Sequence, residues 1–125
     1  MKLNQGEIIY DVLMANTELS EKVNGNIYPL VVNEDIKFPF VVYRRESTNI
    51  ANNKDYYFYN IDCDYSLIVA SDKYSESIDI AELVINTLHD CQKTTNEIKE
   101  AKVTDVSEDY TNNTYIVSIT FKIKL

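Results

Sequence analysis

Tryptophan is absent from this chain, glycine, proline and cysteine occur twice each, and histidine occurs once. Gly6 and Gly25 alone cannot build a glycine-rich phosphate loop. So little glycine and proline also argues against a linker-rich or disordered chain. Cys63 and Cys91 lie far apart and fit no metal-ligand spacing. They could form a disulfide, but a chain with a proper core does not need one, so both are expected as free thiols in a reducing cytoplasm. No run of about 18 apolar residues is present to span a membrane. Met1 to Glu7 lacks the apolar stretch of a signal peptide. Basic charge is scarce: 12 Lys and Arg stand against 20 Asp and Glu, a net charge of −8. That balance opposes binding to phosphate backbones and to anionic membrane surfaces.

Hydrophobic residues make up 45% of the 125 positions, enough for a real core and for one domain, residues 1–125, but not for a second core. Ten of the fourteen aromatic residues are tyrosines, a composition that favours strands. A first helix is expected from Asn4, whose side chain could cap it with Glu7 three residues on. Ile8, Ile9, Val12 and Leu13 would form its apolar stripe. A short helix follows from Thr17, the expected cap, to Val23, and Asn24-Gly25 stops it. Residues 26–30 read as irregular. A first strand covers Phe38 to Arg45, and the polar stretch Glu46 to Asp55 reads as a loop.

The clearest strand begins at Tyr57. Tyr59, Ile61, Cys63, Tyr65, Leu67 and Val69 alternate with Asn60, Asp62, Asp64 and Ser66. This period of two predicts a sheet with one buried and one wet face. Cap-type residues at Ser71 to Ser75 precede a helix over about Glu76 to Gln92, with Ile78, Ala81, Val84, Ile85 and Leu88 on one stripe. A weaker strand, Lys102 to Tyr110, and an alternating one, Thr114 to Leu125, are joined by a tight turn at Asn112-Asn113, since Asn tolerates positive φ. The expected class is α+β. Its order is α-β-β-α-β-β, an antiparallel four-stranded sheet with two main helices on one face.

A search for chemistry finds little. His89 would need a nucleophile and an orienting acid to act in catalysis; it reads instead as a surface residue near a helix C-terminus. Cys63 points inward, where a thiol is inert. Asp62 and Asp64 are neighbours on a polar strand face, but a metal site needs more ligands. Arg44 and Arg45 point to opposite faces and cannot form one anion fork. Tyr56 to Tyr59 could stack on bases only beside a positive groove, and Asp55, Asp62 and Asp64 flank them instead. No catalytic, cofactor-binding or metal residue is expected. Residues outside the core are expected to make contacts with partners: Glu34 and Asp35, then Glu46, Ile50, Asn52, Asn53 and Lys54, and the outward aromatics Tyr56 and Phe58.

Several segments resemble the tail terminator, or tail completion, proteins of long-tailed bacteriophages. Val23 to Leu30 is similar to the Ile-Tyr-Pro stretch of that family, although Asn26 stands where a basic residue is common. Lys37 to Tyr43 is similar to its Pro-apolar-Val-Val-Tyr strand. Asp64 to Ala70 with Lys73 to Glu76 resembles its long strand leading to a Tyr-initiated helix, Ile80 to Leu88 that helix, and Tyr115 to Lys124 the closing strand. The resemblance implies a homo-oligomer, usually a hexameric ring, located in the virion tail and assembled in the host cytoplasm. Its implied partners are the tail tube protein and the head–tail connector protein, with DNA passing through the bore but no specific nucleic-acid binding, no membrane and no cofactor. From the residues alone, a small non-enzymatic adaptor or ligand-binding domain, possibly dimeric, remains open.

Overall fold

The structure is a computed structural model that describes residues 4–30, 37–52, 58–93 and 98–124; residues 49–52 and 58–61 are described by backbone pairing alone. Its sheet is built around β3 (Phe58–Ser71), the strand with the strongest alternation. Cys63, Tyr65, Leu67 and Val69 are buried on one side of it. Asp62, Asp64, Ser66 and Ile68 occupy the other side, because successive side chains alternate across a strand. β2 (Phe40–Asn52) pairs antiparallel with one flank of β3, and β5 (Thr114–Lys124) with the other. β4 (Glu100–Thr111) pairs antiparallel with β5. A fifth strand, β1 (Ile27–Pro29), runs parallel to β2, and the order across the sheet is β1-β2-β3-β5-β4.

All three helices cover the same sheet face. α1 (Gln5–Ala15) buries Ile9 and Leu13, with Ile8 and Val12 half-buried beside them. α2 (Thr17–Lys22) buries Leu19, and Val23 follows into the core. α3 (Tyr74–Asp90) buries Ile80, Ala81, Val84 and Leu88. Its buried stripe turns toward Ile80, leaving the expected Ile78 and Ile85 half-buried at the margins. A turn of 3-10 helix, Cys91–Lys93, ends α3 and buries Cys91. No helix among the described residues is long and apolar enough to cross a membrane.

Local chemistry explains the ends of these elements. Asn24 and Gly25 both take positive φ, 53° and 71°. Their amides close back on α2, Gly25 to the Ser20 carbonyl and Asn24 to the Glu21 carbonyl, which satisfies two orphan acceptors in a Schellman arrangement. Asn112 and Asn113, at 50° and 60°, make the two-residue hairpin turn that the twist of paired strands favours. Ser71 is fully buried; it accepts the Lys73 amide and donates to Glu76 at 2.8 Å, which fixes the entry to α3.

Four expectations need correction. The sheet has five strands rather than four, because β1 is three residues long and ends in Pro29, too short to show a period. Residues 46–52, expected as loop, continue β2: Ser47 pairs with Asp64 and Asn52 with Phe58, with a bulge between Arg45 and Ser47. A strand paired across polar residues carries no apolar alternation, so its sequence reads as loop. The α1 cap is the Asn4 carbonyl, which accepts from Glu7 and Ile8, and not the Asn4 side chain. The α2 cap is Asn16, whose side chain accepts the Leu19 amide at 3.1 Å, and not Thr17. The expected core residue Tyr57 and the loop residues 53–55 lie outside the described residues.

Phe121 is fully buried, opposite Tyr65 on one side and Val103 on the other. Truncating such a ring removes its transfer free energy and leaves a cavity. Phe121→Ala is expected to lower stability by roughly 3–5 kcal/mol in urea unfolding, a large share of the total for an ordinary domain. A variant with an unchanged midpoint would show that the inward face of β5 is not the core.

Candidate interaction surfaces

The residues considered for chemistry stand apart from one another. His89 is exposed at the end of α3, where its Nδ1 lies 3.5 Å from Gln92 Nε2. Cys63 is buried and touches Thr48 Oγ1 at 3.8 Å. Cys91 is buried and donates to the Leu88 carbonyl; burial, helped by Asp90, pushes its thiol pKa up, away from the reactive thiolate. Neither cysteine is joined in a disulfide among the described residues. Asp64 accepts from Ser47 at 2.8 Å. Arg44 lies 3.8 Å from Glu46 in an exposed pair. Arg45, on the opposite face, donates to the Tyr65 hydroxyl at 3.0 Å and sits over its ring. No three His, Cys, Asp or Glu side chains gather as a metal site among the described residues.

Of the expected contact residues, Glu46 is exposed in β2. Ile50 and Asn52 lie in β2 and Phe58 in β3, where Ile50 pairs with Ile61 and Asn52 with Phe58. The described ladder between β3 and β5 ends at Asp62 with Lys124. The end of the β2–β3 hairpin therefore extends past that ladder. Glu34, Asp35, Asn53, Lys54 and Tyr56 lie outside the described residues.

Three surface features escaped the sequence reading. The first is a groove of about 700 Å³ between α1 and α3. Ile8, Val12, Ala15 and Leu83 line it together with Glu7, Asp11 and Asp90. Asn16 spans the two helices there, donating to Thr87 Oγ1 at 2.7 Å. This helical layer is strongly acidic: α1 holds two acids, α2 two and α3 four, against the single Lys22.

The second feature is the sheet face without helices. Phe40, Ala70, Ile116 and Asp109 form a row across it, and Val42, Ile68, Ser118 and Ser107 the next. Val42 and Ala70 are buried at this end, near the stacked rings of Phe38 and Phe40. At the other end Asp64, Lys122 and Lys102 make one row and Asp62, Lys124 and Glu100 the last. Asp62, Glu100 and the three lysines surround a hollow of about 230 Å³. Asp62 Oδ1 is buried there without a hydrogen-bond partner among the described residues. None of the three lysines makes an ion pair among the described residues.

The third feature is a tyrosine cluster at the β4–β5 turn. Tyr74 and Tyr110 each pack against Tyr115, with centroids 5.6 and 4.7 Å apart. The Tyr74 hydroxyl donates to both Glu108 carboxylate oxygens, at 3.2 and 3.1 Å. Such clusters join residues far apart in sequence, and only the strand register reveals them. The lysine corner was partly legible, since Lys122 and Lys124 share one face of an alternating strand.

No family model matches the chain, and no curated protein matches it. Solved structures do. A chain in the virion of a native gene transfer agent particle is similar over 93% of this chain and 90% of its own, with 13% identity and a TM-score of 0.71. The gp17 protein of bacteriophage SPP1 is similar over 94% of this chain and 87% of its own, with 20% identity and a TM-score of 0.54. The fold is shared with proteins of phage and phage-like particles. At these identities the likeness concerns the fold.

The tyrosines of this fold carry a pH signature. Burial raises the pKa of Tyr43 and Tyr65 above 10.0, and the hydrogen bond to Glu108 raises that of Tyr74. A raised pKa means that the folded chain holds its proton where the unfolded chain has begun to lose it. Stability is then full below pH 10 and falls as pH rises through the folded values. The melting temperature is expected to decline between about pH 9.5 and 11 while remaining flat from about pH 7 to 9. A flat profile through pH 11 would contradict the burial of Tyr43 and Tyr65 and the Tyr74–Glu108 hydrogen bond.

Proposed function

We propose that this chain is a non-enzymatic structural protein of a phage or prophage that caps the completed tail tube and ends its polymerisation. The observation that carries this reading is the likeness in fold, over more than nine-tenths of the chain, to a gene transfer agent virion chain and to SPP1 gp17. The sequence resemblance to tail terminators points the same way. In this reading the chain forms a hexameric ring, works in the virion tail after assembly in the host cytoplasm, and joins the tube to the head connector. A ring with heterologous contacts closes on itself and presents two unlike ends, one for the tube and one for the connector. The projecting end of the β2–β3 hairpin, with Glu46, Ile50, Asn52 and Phe58 on its strands, is suited to contact the tube. The flanking residues Glu34, Asp35, Asn53, Lys54 and Tyr56 belong to the same proposal. The net charge of −8 lets DNA pass a bore without adhering.

The test is the mass of the purified protein in solution. Light scattering is expected to give about six times the 14.5 kDa chain mass. A monomer or dimer at micromolar concentration would remove the ring and favour a dimeric adaptor.

A further inference from the structure

The acidic groove and the lysine corner lie on opposite sides of the sheet. The groove belongs to the outer surface of α1 and α3; Lys102, Lys122 and Lys124 belong to the face without helices. Both carry unspent charge. Glu7, Asp11 and Asp90 make no ion pair among the described residues, and neither do the three lysines. Both also combine charge with something more. The groove has an apolar floor of Ile8, Val12 and Leu83. The corner carries a buried Asp62 oxygen with no donor among the described residues, beside a hollow that a neighbour's polar group could enter.

We infer that the α1–α3 groove of one copy receives the Lys102, Lys122 and Lys124 corner of the next copy, and that this contact closes the ring. The inference rests on the ring proposed above. Two different patches on opposite sides of one subunit make a heterologous contact, and such contacts repeat head to tail until they close. Charge favours the unlike pairing and opposes groove to groove, which places acids against acids. The lysine stems add apolar contact with the groove floor while their ammonium groups reach the rim. The corner is mixed in sign: Asp64 lies beside Lys122 in its row, and Asp62 and Glu100 line the hollow. Those two carboxylates can accept from Asn4, Asn16 or Asn86, which line the groove with the acids.

A charge-swap experiment tests this. One variant carries Asp11→Lys and Asp90→Lys, so that both patches are basic; the other carries Lys102→Glu and Lys122→Glu, so that both are acidic. All four substitutions are at exposed positions, and circular dichroism checks that each variant folds. Each variant alone is expected to lose the ring, at least about tenfold in assembled fraction at low salt, where surface charge is least screened. An equimolar mixture is expected to recover it, with the two chains alternating, because each groove then meets a corner of opposite sign. A chain carrying all four substitutions is expected to assemble by itself. Variants that assemble alone as well as the unaltered chain, or a mixture that stays dissociated, overturn this contact while leaving the ring standing. An unaltered chain that forms no ring overturns the ring itself.

Discussion

One row of side chains holds the described structure together. Cys63, Tyr65, Leu67 and Val69 face inward along β3, the central strand of the sheet. Val41 and Tyr43 of β2 and Val117, Ile119 and Phe121 of β5 extend that row into a continuous apolar surface. The helices have an apolar stripe each and no other place to bury it. α3 packs across β3, β5 and β4, and α1 packs on α3 and the β1–β2 side. Removal of this apolar area from water is the main force favouring the fold, and it acts mainly on the sheet face that the helices cover.

The consequences for function follow from that one-sidedness. A two-layer domain has an outer helical surface and an open sheet surface, and these need not resemble each other. Here they differ in charge. The helices concentrate acid, whereas Lys102, Lys122 and Lys124 stand together on the open sheet. A subunit with unlike sides can repeat head to tail, the geometry that closed rings use. The helical side and the open sheet side are the two surfaces that the proposed head-to-tail contact would bring together.

Much of the fold was legible because it rests on short-period patterns. The alternation from Cys63 to Val69 and from Val117 to Ile123 places those residues in the core on sequence grounds alone, and the asparagine pair at 112–113 marks its turn. The helix stripes were nearly right, with Ile80 missed because three- and four-residue spacings admit neighbouring stripes. The rest depended on pairing. Nothing in Glu46 to Asn52 signals a strand until β3 is beside it, since the ladder there joins backbone to backbone across polar side chains. β1 exists because β2 offers it an edge. The candidate surfaces were the least legible. The groove needs the packing of α1 against α3, and the corner needs the register of three strands.

The central claim is that this chain binds the end of a polymer and stops it. Gold-labelled protein added to purified phage tail tubes, viewed by electron microscopy, tests it most directly. The account predicts gold at one end of each tube, none along the sides, and no further growth from labelled ends when tube protein is supplied. Gold spread along the sides, or tubes that lengthen past the label, would contradict it.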